Sequence, residues 1–244
     1  MLELHPNPHR VDEVFVELAS DDRPVTETRP WVMANMVSSV DGAFAVDGRS
    51  GGLGTPDDKL VFHALRGLAD VVLVGATTAR AERYRRPSPV EEASWIREGR
   101  HQQPAPRLVL VSRSGHIPAD QPFLTGDGPT PLLVHPDDAS PQLPAGIEAM
   151  GCGDGGVDLH ELLRRLRADG HRWVLTEGGP GFLGQLHRAD LLDELFLTTS
   201  PMLVGGSDVG ILGHGDAAPS RQRLHRLWMD DQDALFATYR RAPG

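Results

Sequence analysis

Apolar residues recur along this chain in two rhythms. Residues 31–37, 71–74, 107–111, 131–134, 171–176 and 194–199 are short, largely apolar runs bounded by polar or turn residues. Runs of that length suit strands buried on both faces of a parallel sheet. Between them the spacing becomes helical. Leu60, Val61, Ala64, Leu65 and Leu68 make one apolar stripe behind Thr55-Pro56-Asp57-Asp58. That opening reads as an N-cap, a first-turn proline and two acids at the positive end of the helix dipole. Leu159, Leu162, Leu163 and Leu166 make a second stripe behind Asp158, closed by Gly170. Residues 76–82 and 180–188 predict shorter helices after glycine turns, and 224–229 with 234–240 predict a hairpin across acidic turn residues. Strands alternating with helices imply an α/β fold with a mostly parallel central sheet, helices on both faces and an antiparallel C-terminal hairpin. Residues 1–28 are polar and proline-bearing, with one apolar patch at Val11, Val14, Phe15, Val16 and Leu18. They read as a polar N-terminal arm on the surface, ahead of a single domain over 29–244.

Composition narrows the function. The chain has 244 residues and a formal net charge of -10, with 24 Lys and Arg against 34 Asp and Glu. Phosphate neutralisation needs a basic face, so a nucleic-acid binder is disfavoured. The single cysteine, Cys152, excludes an intramolecular disulfide and a thiolate-cluster metal site, and fits a reducing, cytoplasmic setting. Its Gly151-Cys152-Gly153 context reads as a loop with a free surface thiol. No apolar stretch reaches the length of a membrane span, and residues 1–10 have no apolar core of the signal-peptide kind. The 11 histidines lack metal-ligand spacing, and neither a His-Glu-x-x-His nor a Gly-x-Ser-x-Gly motif occurs. Zinc hydrolysis and serine acyl transfer are thereby disfavoured, and no metal is expected.

Ligands of open α/β sheets gather beyond the carboxyl ends of the strands. Three such ends carry distinctive residues. Glu177-Gly178-Gly179-Pro180-Gly181-Phe182 follows the strand ending at Thr176, and its glycines and helix start suit a pyrophosphate. Gly179 to Gly184 matches a dinucleotide-binding pattern, but the acid that such a fold needs at the end of the next strand is missing. Asp193 and Glu194 stand at that strand's beginning instead. A tight strand-to-helix turn without ligand is the plain alternative. Gly75 with Thr77, Thr78 and Arg80 offers a second phosphate-type turn, for which simple N-capping is the alternative. Ser112 and Arg113 suit a phosphate monoester, against ordinary solvation of an exposed arginine. Asp41, at a turn with Ser39 and Gly42, suits anchoring or protonation of a polar substrate; Asp-Gly is equally an ordinary turn pair.

Taken in order, Ser39-Val40-Asp41-Gly42, residues 65–75, Thr78-Ala79-Arg80-Ala81-Glu82, Thr176-Glu177-Gly178-Gly179-Pro180, Leu192-Asp193-Glu194-Leu195 and residues 201–206 resemble the reductase domain of the bacterial bifunctional riboflavin-biosynthesis deaminase–reductase, in a stand-alone form. The resemblance covers about residues 29–240 and implies a dihydrofolate-reductase-like fold. It further implies NADPH-dependent reduction of 5-amino-6-(5-phosphoribosylamino)uracil, and a homodimer. It assigns Gly75, Thr77, Thr78 and Arg80 to the cofactor phosphates or nicotinamide side, and Ser112 and Arg113 to the adenosine 2′-phosphate. Glu177, Gly178, Gly179, Pro180, Gly181 and Phe182 would wrap the pyrophosphate and nicotinamide half. Asn35, Ser39, Asp41 and Gly42 fall to the substrate, with Asp41 as the catalytic candidate. Two departures stand out: Asn35 where the family usually has lysine, and Thr77 where it commonly has a second glycine. The deaminase half is absent, since one cysteine cannot supply its two thiolate zinc ligands. A pterin or dihydrofolate reductase on the same scaffold, and a non-catalytic NADPH-binding protein, are the competing readings.

Overall fold

The computed structural model describes residues 11–205, 210–215 and 218–242. Among them, strands β1 (Trp31–Ser39), β2 (Val71–Gly75), β3 (Arg107–Val111), β4 (Leu132–His135), β5 (Glu148–Gly151), β6 (Trp173–Thr176), β7 (Glu194–Ser200), β8 (Gln222–Met229) and β9 (Leu235–Arg241) form one sheet. Its order is β5-β4-β3-β2-β6-β1-β7-β9-β8. Every pairing from β5 to β7 is parallel, and the β7–β9 and β8–β9 pairings are antiparallel. The expected mostly parallel sheet with an antiparallel C-terminal hairpin is what the chain forms.

The helices are α1 (Val11–Ser20), α2 (Pro56–Leu68), α3 (Ala76–Ala81), α4 (Ser94–Gly99), α5 (Leu159–Ala168) and α6 (Pro180–Arg188). Strand side chains alternate, so each face of the sheet collects its own core. Met33, Leu175 and Phe196 face α1, α2 and α4, and Val72, Val74, Leu108 and Leu110 continue that face under α3. Val32, Val71, Leu73, Val109 and Val174 face α5 and α6. The Thr55 hydroxyl accepts the Asp58 amide and the Asp158 carboxylate accepts the Glu161 amide, as the cap residues predict.

The N-terminal segment departs from the surface-arm expectation. Residues 11–20 are helical, and Val14, Phe15 and Leu18 are buried against Val61, Leu65 and Leu68 of α2. Val14, Phe15 and Leu18 lie at helical spacing, with Val16 left exposed, and an apolar stripe of this kind must be covered. The segment after α1 is locked by charge. Arg23 is buried, with its Nε 2.7 Å from Glu194 Oε2 and its Nη1 donating to the Leu18 carbonyl at 2.6 Å. Burial acts to raise the Asp21 carboxyl, but hydrogen bonds from Arg226 and His225 and the Arg23 charge outweigh it and hold it at about 2. Residues 1–10 of the expected arm lie outside the described residues.

Cys152 also differs from expectation. It directly follows β5, a strand not legible in the sequence, and its amide donates to the His135 carbonyl at 2.8 Å. The side chain is buried among Leu159, Leu162 and Leu163, and burial pushes its thiol up. It is a core residue and not a surface thiol.

Because Phe15 is 1% exposed at the α1–α2 contact, Phe15→Ala is expected to cost about 3–5 kcal/mol of unfolding free energy, read as a lower urea midpoint. A surface arm would yield a change under about 0.5 kcal/mol.

Candidate active site

The parallel order β2-β6-β1 brings three carboxyl ends together. The glycine turns after β2 and β6 touch each other directly. The Gly75 amide donates to the Gly178 carbonyl at 3.2 Å, and the Gly179 amide donates to Thr78 Oγ1 at 2.9 Å. Both glycines of the second turn are required. Gly178 has φ +85°, and a Cβ on it would lie 3.0 Å from Met36 Sδ; a Cβ on Gly179 would lie 2.5 Å from Thr78 Oγ1. The Gly178–Gly179 peptide is cis. The two amides therefore bind the turns to one another, where the sequence had suggested direct donation to a phosphate.

On the α2 side of this junction lies a cavity of about 380 Å³. Its floor includes Asn35 from β1, Thr77 and Thr78 from α3, and Glu177, Gly179 and Pro180 from the β6–α6 turn. Six of the predicted site residues are thus brought together. Asn35 Oδ1 is buried in this wall and has no hydrogen-bond partner among the described residues. An unsatisfied buried acceptor of this kind is costly.

The opposite wall is α2, and the sequence reading missed its chemistry. Asp58, Phe62 and Arg66 stand at i, i+4 and i+8, a second stripe beside the apolar one. Asp58 and Phe62 line the cavity. Arg66 reaches Glu177 with two parallel bonds, Nε to Oε1 at 2.6 Å and Nη2 to Oε2 at 2.7 Å. Its guanidinium lies over the Phe62 ring at 4.2 Å and the Tyr84 ring at 5.6 Å. Glu177 is nearly sealed from solvent at 3% side-chain exposure, so this clamp fixes both the turn and the helix. Burial first, and then the Glu177 charge, push the Tyr84 phenol well above its ordinary value.

The remaining predicted residues fall elsewhere. Asp41 is exposed and outside the cavity wall. Its carboxylate accepts from the Ser39 hydroxyl, from the Val204 amide at 3.2 Å and from the Gly205 amide at 2.7 Å. The Ser39 bond first, then the Gly205 and Val204 amides, hold it below the usual carboxylate range. A carboxyl kept ionised in this way ties the exit of β7 to the β1 turn and is poorly suited to giving up a proton. Ser39 Oγ also accepts the Ala43 amide at 2.9 Å, and Gly42 has φ +88°, so both serve the same turn. Residue 206, the last of the resembling segment, lies outside the described residues.

Gly181 faces the 210–213 turn, for a Cβ on Gly213 would lie 2.9 Å from the Gly181 nitrogen. Phe182, expected against the cofactor, is buried in the core beneath the sheet with Leu186, because α6 must cover that face. The Ser112 hydroxyl accepts the Gly115 amide at 3.2 Å. Arg113 is exposed and pairs with none of the described residues. Arg80 reaches the His116 carbonyl at 3.5 Å, so α3 borders the loop that carries Arg113. Asp193 binds Arg29 through both oxygens at 2.6 Å and accepts the Val32 amide at 2.9 Å. The acids at the start of β7 are therefore structural, consistent with the failed dinucleotide pattern.

A parallel sheet with a ligand-sized cavity at its strand ends, a clamped carboxylate and an unsatisfied polar acceptor defines a small-molecule-binding α/β enzyme scaffold. The chain belongs to the RibD C-terminal domain family, whose model matches residues 30–236. It is 25% identical over 203 residues to the 2,5-diamino-6-ribosylamino-4(3H)-pyrimidinone 5′-phosphate reductase of Archaeoglobus fulgidus, covering 82% of this chain and 93% of that one. To the protein of the same name from Methanothermobacter thermautotrophicus it is 28% identical over 202 residues, covering 82% and 90%. In fold it is similar to a pyrimidine reductase-like protein of Corynebacterium diphtheriae, with a TM-score of 0.83, 23% identity, and 94% and 99% of the two chains covered. No helix among the described residues is long and apolar enough to cross a membrane.

The Thr78–Gly179 contact gives a direct test. Gly179→Ala drives a methyl group into Thr78 Oγ1 and is expected to cost about 1–3 kcal/mol in urea unfolding. In the Thr78→Ala background that cost should shrink, giving a coupling of at least about 0.5 kcal/mol in a double-mutant cycle. Strict additivity would mean the turns are not coupled there.

Proposed function

We propose that this protein is an NADPH-dependent reductase of a ribosylamino-pyrimidine 5′-phosphate, acting in riboflavin biosynthesis. The observation that carries the reading is the cavity where the ends of β1, β2 and β6 meet, whose floor is held by the Arg66–Glu177 clamp and the Thr78–Gly179 junction. The names of the archaeal relatives support the substrate class.

The donor set fits a nicotinamide dinucleotide. Gly179, Pro180, Thr77 and Thr78 would hold the nicotinamide half, since any side chain on Gly179 would fill the cradle against Thr78. Arg113, unpaired among the described residues, and neighbouring Arg80 would hold the 2′-phosphate, with the Ser112 hydroxyl bracing the loop. When bound, the reduced nicotinamide supplies a hydride to an electrophilic carbon. The chain's own residues orient and enclose. Asn35 and Phe62 line the cavity, and Phe62 offers the heterocycle an apolar face. Lys59, exposed at the rim, attracts the substrate phosphate. Asp41 keeps the β7 exit in position at one remove from the cavity. The reading includes a homodimer, for which the exposed outer strand β8 with Leu224 offers a surface, and a cytoplasmic location.

The test is loss of NADPH absorbance on mixing the protein with the pyrimidine phosphate; no oxidation with that substrate, or with the related uracil, sinks the reading. Arg113→Ala is expected to weaken NADPH by roughly 10- to 100-fold while leaving NADH unchanged, the size of one lost charge-assisted bond. An unaltered preference between the two cofactors would move the 2′-phosphate site elsewhere.

A further inference from the structure

Among the described residues, five ionisable side chains line the cavity: Asp58, Lys59, Glu82, Tyr84 and Glu177. Four are accounted for. Both oxygens of Glu177 are held by Arg66. Glu82 Oε1 accepts from the Ser50 amide at 3.1 Å and from the Ser50 hydroxyl at 3.3 Å. Tyr84 keeps its proton because burial and the Glu177 charge push its phenol up. Lys59 is exposed at the rim.

Asp58 remains, and its setting differs from the others. It is half-buried in the first turn of α2, its amide capped by Thr55 Oγ1 at 3.2 Å. Gly54 approaches so closely that a Cβ there would lie 2.6 Å from Asp58 Oδ2. Among the described residues no arginine clamps Asp58. Its side-chain partner is the Thr198 hydroxyl from β7, and the charges acting on it are Asp230 from the β8–β9 turn and Lys59 on its own helix. Asp230 cannot turn away, because Oδ2 accepts the Thr55 hydroxyl at 2.7 Å and Oδ1 accepts the Gln232 and Ala234 amides at 3.0 and 2.8 Å. Burial is the largest influence on the Asp58 carboxyl. With the Asp230 charge it outweighs the Thr198 bond and Lys59, so the group is raised above the ordinary aspartate value.

We propose that Asp58 is the proton donor of the reduction, transferring its carboxyl proton to the nitrogen of the C=N bond that is reduced. The inference rests on the reductase reading above. In that step the carbon of the C=N bond gains a hydride and forms a C–H bond, and the π pair moves onto nitrogen. The nitrogen takes the Asp58 proton to give the N–H of the amine, while the nicotinamide cofactor is oxidised. Asp58, left as a carboxylate, is re-protonated by water from the open mouth of the cavity. The position suits the task, since Asp58 lines the same cavity as Glu177, Gly179 and Pro180 of the β6–α6 turn, with β7 and the Asp230 carboxylate of the β8–β9 turn beside it. Asp41, the carboxylate singled out in the sequence, is held ionised outside the wall and leaves this role open.

The active form carries the proton, so turnover should fall as pH rises through the Asp58 titration, with a midpoint above the ordinary value of 3.8. Asp58→Asn is expected to lower turnover by about 10²- to 10⁴-fold, to abolish that limb and to leave NADPH affinity unchanged. Asp58→Glu should restore a limb. Thr198→Val removes a hydrogen bond that favours the charged form, so it should move the limb to higher pH. Independently of activity, carbon-13 NMR of aspartate-labelled protein without substrate should reveal one carboxyl titrating above its ordinary range, and that signal should be missing in Asp58→Asn. Near-normal turnover or an unmoved limb in a folded Asp58→Asn protein, or the absence of the raised carboxyl from wild-type spectra, overturns the assignment while leaving the reductase reading intact. Failure of the wild-type protein to oxidise NADPH with either pyrimidine removes both.

Discussion

The hydrogen bond from the Gly179 amide to Thr78 Oγ1 is the constraint around which the site is organised. It joins the turns that follow two neighbouring parallel strands, β2 and β6. With the Gly75–Gly178 bond it holds Glu177 at a fixed height above the sheet, where Arg66 can reach both carboxylate oxygens. Removing the side chain from residues 178 and 179 is what makes this possible, because Met36 on one side and Thr78 on the other leave no room. A buried ion pair of this kind contributes little net stability after desolvation, yet breaking one partner is expensive. Its value here is positional.

From this junction outward the molecule divides its polar groups by task. The acids at the amino end of β7, Asp193 and Glu194, are spent on Arg29, Arg23 and Arg240, which knit the N-terminal segment and the C-terminal hairpin onto the sheet. The polar groups at the carboxyl ends are partly unspent: among the described residues Asn35 Oδ1 and Arg113 have no partner and no arginine clamps Asp58.

Asp41 and Asp58 illustrate how environment separates two like side chains. Asp41 is solvent-exposed and surrounded by donors, so its charge is favoured. Asp58 is half-buried, has one hydroxyl partner and faces another acid, so its charge is disfavoured. The difference comes from elements far apart in the chain: β7 and the β8–β9 turn for Asp58, residues 204 and 205 for Asp41.

The sequence by itself determined the α/β class, the strand runs, the caps at Thr55 and Asp158, the C-terminal hairpin and the two glycine turns, because each follows from local spacing and backbone preference. It also indicated Asn35, Thr77, Thr78, Glu177, Gly179 and Pro180, which do line one cavity. Tertiary structure alone decided the rest. The stripe of Val14, Phe15 and Leu18 looked like a surface patch until α2 supplied the face that buries it. Cys152 looked exposed because β5 is too short and polar to announce itself. The two acids at residues 57 and 58 looked alike as helix-dipole partners. Only the packing of β7 and the β8–β9 turn against α2 distinguished them, since desolvation and long-range charge depend on neighbours that spacing along the chain does not encode.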